Sequence, residues 1–140
     1  MRDFSELVDD FSFLDDWEDR YRYVIELGRE LAELEDTQRV DANKVNGCAS
    51  QVWLITDVDK SAGEPVLNFK GDSDALIVKG LIAILISIYS GKPAAKILTT
   101  DAFQMLGEIE LQQNLTQQRS NGLKAMVQRI HAEAAEAQAA

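Results

Sequence analysis

Cysteine occurs once in this sequence, at position 48, and histidine once, at position 131. A single cysteine cannot form an internal disulfide. One thiol and one imidazole, separated by most of the chain, supply no metal-ligand cluster, so neither a metal nor a cofactor of the protein's own is expected. The eight glycines are scattered and form no phosphate-cradling loop. Long apolar runs are also missing. The longest covers residues 81–86, extended by Ile88 and Tyr89. That falls short of the roughly 18–20 residues a membrane-spanning helix needs, so this stretch reads as a buried core helix and no membrane association is expected. Basic residues are scarce, 14 against 24 acidic ones, giving a net charge of −10. Such a surface repels phosphate backbones, which argues against nucleic acid or anionic lipid as a partner, while it favours solubility and suits a basic protein partner. The first ten residues are acidic and lack a secretory signal's pattern, which with the lone thiol points to a reducing, cytoplasmic setting.

What is present is 140 residues, 46% apolar and 27% charged, enough for one soluble domain over 1–140 with its own core. Phe4, Leu7, Val8 and Phe11 recur at helical spacing and predict a short first helix. Asp15 or Asp16 caps a second helix, ending near Leu34, that carries Trp17, Tyr21, Val24, Ile25, Gly28 and Leu31 on one stripe. Residues 35–47 show no period and read as a surface loop, with 43–47 a candidate strand. Residues 51–58 are β-branched and aromatic, and 66–70 follow a turn containing Gly63 and Pro65, so these two segments predict an antiparallel hairpin. Asp72 or Ser73 caps a helix over about 74–89 that is apolar around most of its circumference. Short helices follow near 93–98 and 101–109. A Gln-rich loop or helical turn spans 111–120, and a last helix covers 121 to about 137, with the tail from about 135 to 140 expected to fray. Helices, then a small sheet of about three antiparallel strands, then helices make an α+β domain.

The chemistry narrows to Cys48. Carboxylate pairs such as Asp9/Asp10, Asp15/Asp16 and Glu33/Glu35 read as caps and solvated helix faces, and His131 as a surface or boundary histidine. A lone cysteine is usually a small buried hydrophobe. This one follows Gly47, which permits unusual backbone angles, and is flanked by the polar Asn46, Ser50 and Gln51 at the start of a strand. A nucleophile on a loop held by a sheet is a common functional arrangement. No base adjoins it; Lys44 and Arg119 are the candidate cations, so thiolate formation is expected to depend on a docked partner.

The stretch Val45-Asn46-Gly47-Cys48-Ala49-Ser50-Gln51-Val52-Trp53-Leu54 resembles the cysteine loop of the SufE family of sulfur acceptors, which includes CsdE. The likeness continues through Gly71-Asp72-Ser73-Asp74-Ala75-Leu76-Ile77, Leu115-Thr116 and Arg119-Ser120-Asn121-Gly122-Leu123, and includes Tyr21-Arg22-Tyr23-Val24-Ile25-Glu26-Leu27-Gly28. The resemblance implies an α+β fold shared with the scaffold protein IscU. It implies a partner, a pyridoxal-phosphate cysteine desulfurase of the SufS/CsdA type, whose cofactor stays with that enzyme. It further implies that Cys48 accepts persulfide sulfur, stimulates the desulfurase and passes sulfur to a SufBCD-like scaffold or another acceptor, as a carrier rather than a stand-alone enzyme. Gly47, Ser50, Gln51, Asp74 and Arg119 take supporting roles in loop position or docking by the same resemblance. In that family the loop is tucked in when free and swings out when docked. Persulfide transfer needs one accessible nucleophile and shelter from oxidation, which suits a chain with one cysteine. One cysteine opposes a cluster-binding scaffold. The alternative is a non-catalytic regulatory module of a desulfurase with a structural cysteine.

Overall fold

The structure, a computed structural model, describes residues 3–140. Helix α1 spans Phe4–Ser12; Asp3 caps it by accepting the Glu6 amide at 3.1 Å, and Phe4, Leu7 and Phe11 turn inward. Helix α2 spans Trp17–Arg29, capped by Asp16 through the Asp19 amide at 2.8 Å. On α1 the predicted Phe4, Leu7 and Phe11 are buried; on α2 the buried residues are Val24, Gly28 and Leu27, the last outside the predicted stripe, and the helix stops at Arg29 rather than near Leu34, leaving Leu31 beyond it. A 3₁₀ turn at Asp41–Asn43 interrupts the long connection that follows.

Strands β1 (Val52–Asp59) and β2 (Val66–Ser73) pair antiparallel from Val52↔Ser73 to Asp59↔Val66, as the hairpin pattern predicts. The third strand is not the candidate segment 43–47. It is β3, Lys92–Pro93, which pairs with the other edge of β2 and gives the order β1-β2-β3. Segment 43–47 meets β1 only at an isolated Lys44↔Trp53 bridge and a 2.8 Å bond from the Val45 amide to the Val52 carbonyl. Gly47, with φ +94°, then turns the chain away before a ladder can extend.

Helix α3 spans Leu76–Tyr89, and every residue but Leu76, Lys79 and Ser87 is buried. It begins two residues later than Asp74, and neither Asp72 nor Ser73 caps it by a side-chain bond. Both side chains are engaged locally: the Asp72 carboxylate accepts the Ser73 amide at 2.8 Å and the Ser73 hydroxyl accepts the Ala75 amide at 3.2 Å. Helix α2 packs along α3 where Gly28 meets Gly80. A Cβ on Gly28 would lie 2.7 Å from the Gly80 nitrogen, so the helices approach at backbone distance.

Helices α4 (Ala94–Thr99) and α5 (Ala102–Gly107) follow β3, the second capped by Asp101. A 3₁₀ turn at Gln112–Asn114 leads to α6, Gln117–Ala139. The last helix starts four residues before Asn121 because Thr116 caps it, its hydroxyl accepting the Arg119 amide at 3.3 Å. It also continues through the tail expected to fray, burying Ala134 and Ala137. The core is continuous, with α3 at its centre between α2, β2 and α6. No helix among the described residues is long and apolar enough to cross a membrane.

Candidate functional site

Two clasps close the loop that carries Cys48. On the upstream side the buried Val45 bonds to Val52. On the downstream side the Asp74 Oδ1 accepts the Gln51 amide at 3.0 Å, while the Asp74 amide donates to the Gln51 carbonyl at 3.4 Å. Asp74 is therefore a clasp between the loop and the end of β2, and not the side-chain cap of α3. Residues 46–50 span the gap, with Gly47 in the left-handed region that a Cβ would strain.

Cys48 is half-buried. Its Sγ lies 3.6 Å from the Gly122 carbonyl on α6, a weak S–H donation. A Cβ on Gly122 would stand 3.5 Å from Sγ, ordinary van der Waals contact, so the thiol lies close over the helix at this position. A cavity of about 230 Å³ adjoins the sulfur, with Ser50, Val78, Leu81, Thr116, Arg119 and Met126 in its wall. The mixture is apolar below and polar at the rim. Burial pushes the Cys48 thiol up. Burial thus disfavours the thiolate in this conformation, which lowers the sulfur's nucleophilicity.

Of the residues singled out from sequence, Gly47, Ser50, Gln51 and Asp74 form the loop and its clasp, and Arg119 joins Cys48 at the cavity. Arg119 is exposed on the first turn of α6. Lys44 bridges to Trp53 through its backbone. His131 is elsewhere, partly buried, with Nε2 3.1 Å from the Tyr89 hydroxyl; burial pushes that phenol up to about 12. No group of three or more His, Cys, Asp or Glu side chains among the described residues is placed to hold a metal ion.

Sequence reasoning missed the floor of the site. Gly122, within the stretch 119–123 that carries the resemblance, and Met126 come from 74 or more residues away, and nothing local places either beneath Cys48. It also missed a charge cluster behind the loop. Asp72 is buried, its carboxylate 2.9 Å from Arg39 Nε and 3.5 Å from Lys79 Nζ. Burial alone would raise the Asp72 carboxyl; the Arg39 hydrogen bond, the Ser73 amide and the Lys79 charge outweigh it and hold the group below the usual carboxylate range.

An α+β domain offering a single half-sheltered thiol on a clasped loop belongs to the class of thiol-bearing protein modules. Comparison with known proteins makes the assignment particular. The family described as "SufE: Fe-S metabolism associated domain" matches residues 5–134. An uncharacterized SufE-like protein of Rhizobium etli is 56% identical over 134 residues, covering 96% of this chain and 90% of that protein. Another from Rhizobium meliloti is 52% identical over 134 residues, covering 96% of each. A hypothetical protein of Thermus thermophilus solved in solution shares the fold, with a TM-score of 0.76 at 19% identity over the whole of both chains. The chain belongs to the SufE family. Membership implies a sulfur-acceptor role in iron–sulfur metabolism and an association with cysteine desulfurases.

Proposed function

We propose that Cys48 takes persulfide sulfur from a pyridoxal-phosphate cysteine desulfurase of the SufS/CsdA type, that docking stimulates the desulfurase, and that the sulfur passes on to a SufBCD-like scaffold or another acceptor in the cytoplasm. The Cys48 thiolate attacks the outer sulfur of the donor's cysteine persulfide. A new sulfur–sulfur bond forms on Cys48, the donor's bond breaks, and the donor cysteine leaves as thiolate. No net oxidation occurs and no metal takes part. The protein acts as a carrier and activator rather than a stand-alone enzyme.

The observation that carries this reading is the seat of Cys48: a half-buried thiol, raised by burial, on a five-residue span between two clasps. Such a span has room to move without disturbing β1 or α3. Leaving the seat rehydrates the sulfur and lowers the barrier to ionisation. Gly47, Ser50 and Gln51 shape the loop, Asp74 clasps it and Arg119 lines its berth.

Mass spectrometry after incubation with desulfurase and free cysteine tests the reading. Cys48 is expected to gain the mass of a sulfur atom, and Cys48→Ser is expected to gain none and to lose desulfurase stimulation. The packing of Cys48 against Gly122 favours a second reading, a regulatory module with a structural cysteine. That reading requires Cys48→Ala to lose stability, ~1–3 kcal/mol, while stimulation survives.

A further inference from the structure

One face of α6 underlies the Cys48 loop and also the arm that leads into it. Gly122 faces Cys48, and a Cβ on Gly47 would lie 3.2 Å from the Ala125 methyl. Arg129 faces the arm: its Nη1 donates to the Lys44 carbonyl at 3.2 Å and its Nη2 to the Ala42 carbonyl at 3.4 Å. Glu133 holds the other side of that guanidinium, Oε1 to Nε at 2.9 Å, and accepts the Thr56 hydroxyl of β1 through Oε2. Positions 122, 125, 129 and 133 are spaced by three, four and four residues, so they share one helical face.

The two halves of this contact differ in kind. The loop tip is held by van der Waals contact and one weak sulfur donor. The arm is held by a charged fork gripping two carbonyls, with the ion pair only 29% and 21% exposed and therefore little screened. We infer that Arg129 is a positioning residue that pins the arm at Ala42 and Lys44 to α6, confines loop movement to the span beyond Val45, and so sets how far Cys48 is withdrawn at rest. The inference deepens the acceptor reading and rests on it only for the purpose of the loop.

The test is alkylation of the intact, purified protein by iodoacetamide, followed across pH by the mass of the Cys48 peptide, beside a melting curve. Neither desulfurase nor persulfide is present, so a failed clamp and a failed sulfur transfer are separate results. Freed of its pin, the arm keeps its backbone contacts with β1 at Lys44–Trp53 and Val45–Val52, which then open more readily and let the tip move further. Arg129→Gln is expected to raise the alkylation rate about tenfold at neutral pH, the change expected when a charge-assisted contact no longer holds one state. Its pH midpoint should fall toward that of an ordinary thiol. Arg129→Lys keeps the charge without the fork and should lie between. Ile130→Val, a core change on the next position, should lower the melting temperature and leave both alkylation readouts unmoved. Wild-type rate and midpoint in Arg129→Gln would overturn the inference. So would equal shifts in Ile130→Val at a matched loss of melting temperature. If Arg129→Gln does not fold, Glu133→Gln, which frees one side of the guanidinium, must move the rate in the same direction, and an unmoved rate there is equally fatal.

Discussion

At the scale of single residues, the chemistry of Cys48 is set by what surrounds it. Burial raises its pKa, and the Gly122 carbonyl is its one polar contact. The neutral thiol is therefore favoured on folding. The stability this contributes is present below the unfolded thiol's pKa and fades as pH rises through the higher folded value. The free protein is expected to show an alkylation midpoint for Cys48 above that of an unstructured thiol, and stability that declines at alkaline pH. A midpoint at or below the ordinary thiol value, measured on the wild-type chain, would contradict the observed seat. The sequence made Cys48 legible because it is the sole cysteine and sits beside a glycine. Its floor was not legible: the contact with Gly122 joins positions 74 residues apart, and no local pattern encodes it. Asp74 shows the same limit. From sequence a helix cap and a loop clasp look alike, since both need only a short carboxylate before an apolar run; the position of the Gln51 amide decides between them.

At the scale of elements, legibility follows the length of the periodic signal. Helices α1 and α2 and the β1–β2 hairpin carry strong local patterns, and the structure contains all four elements, with α2 ending earlier, at Arg29, and β2 running on to Ser73. Strand β3 is two residues long, one of them Pro93, and exists only because the turn after α3 falls beside β2. Nothing local marks it as a strand. The start of α6 was hidden by the Gln-rich composition of 112–118, although Thr116 is a sound cap. The crossing of α2 and α3 yields a sharp expectation. A methyl on Gly80 would collide with the Val24 carbonyl and side chain, which are fixed within α2. Gly80→Ala should cost ~3 kcal/mol in urea unfolding, where overpacking is the mechanism. A neutral result would mean that the helices separate more easily than this packing allows.

At the scale of the whole molecule, the net charge of −10 is unevenly spread. From Leu111 to Ala132 there is no carboxylate, while Arg119, Lys124 and Arg129 lie within it. The part of α6 that carries Gly122 beneath Cys48 is thus free of carboxylates. Behind the loop, the Arg39–Asp72–Lys79 cluster ties the long α2–β1 connection to the sheet and to α3. Asp72 titrates below an ordinary carboxylate, so its stabilising effect is present above the unfolded value and is lost as pH falls through the folded one. Asp72→Asn should destabilise the protein at neutral pH by ~2 kcal/mol, and the gap from wild type should shrink below about pH 4. Chemical denaturation at pH 7 and pH 3 checks this; a gap of constant size at both would show that the carboxylate charge is not what matters.

The Gly122 carbonyl has a consequence for traffic through the site. It can receive a proton-bearing sulfur, but it faces a thiolate lone pair to lone pair. The berth thus favours the protonated sulfur over the thiolate. Ionisation of Cys48 would remove this contact between the sulfur and the helix backbone.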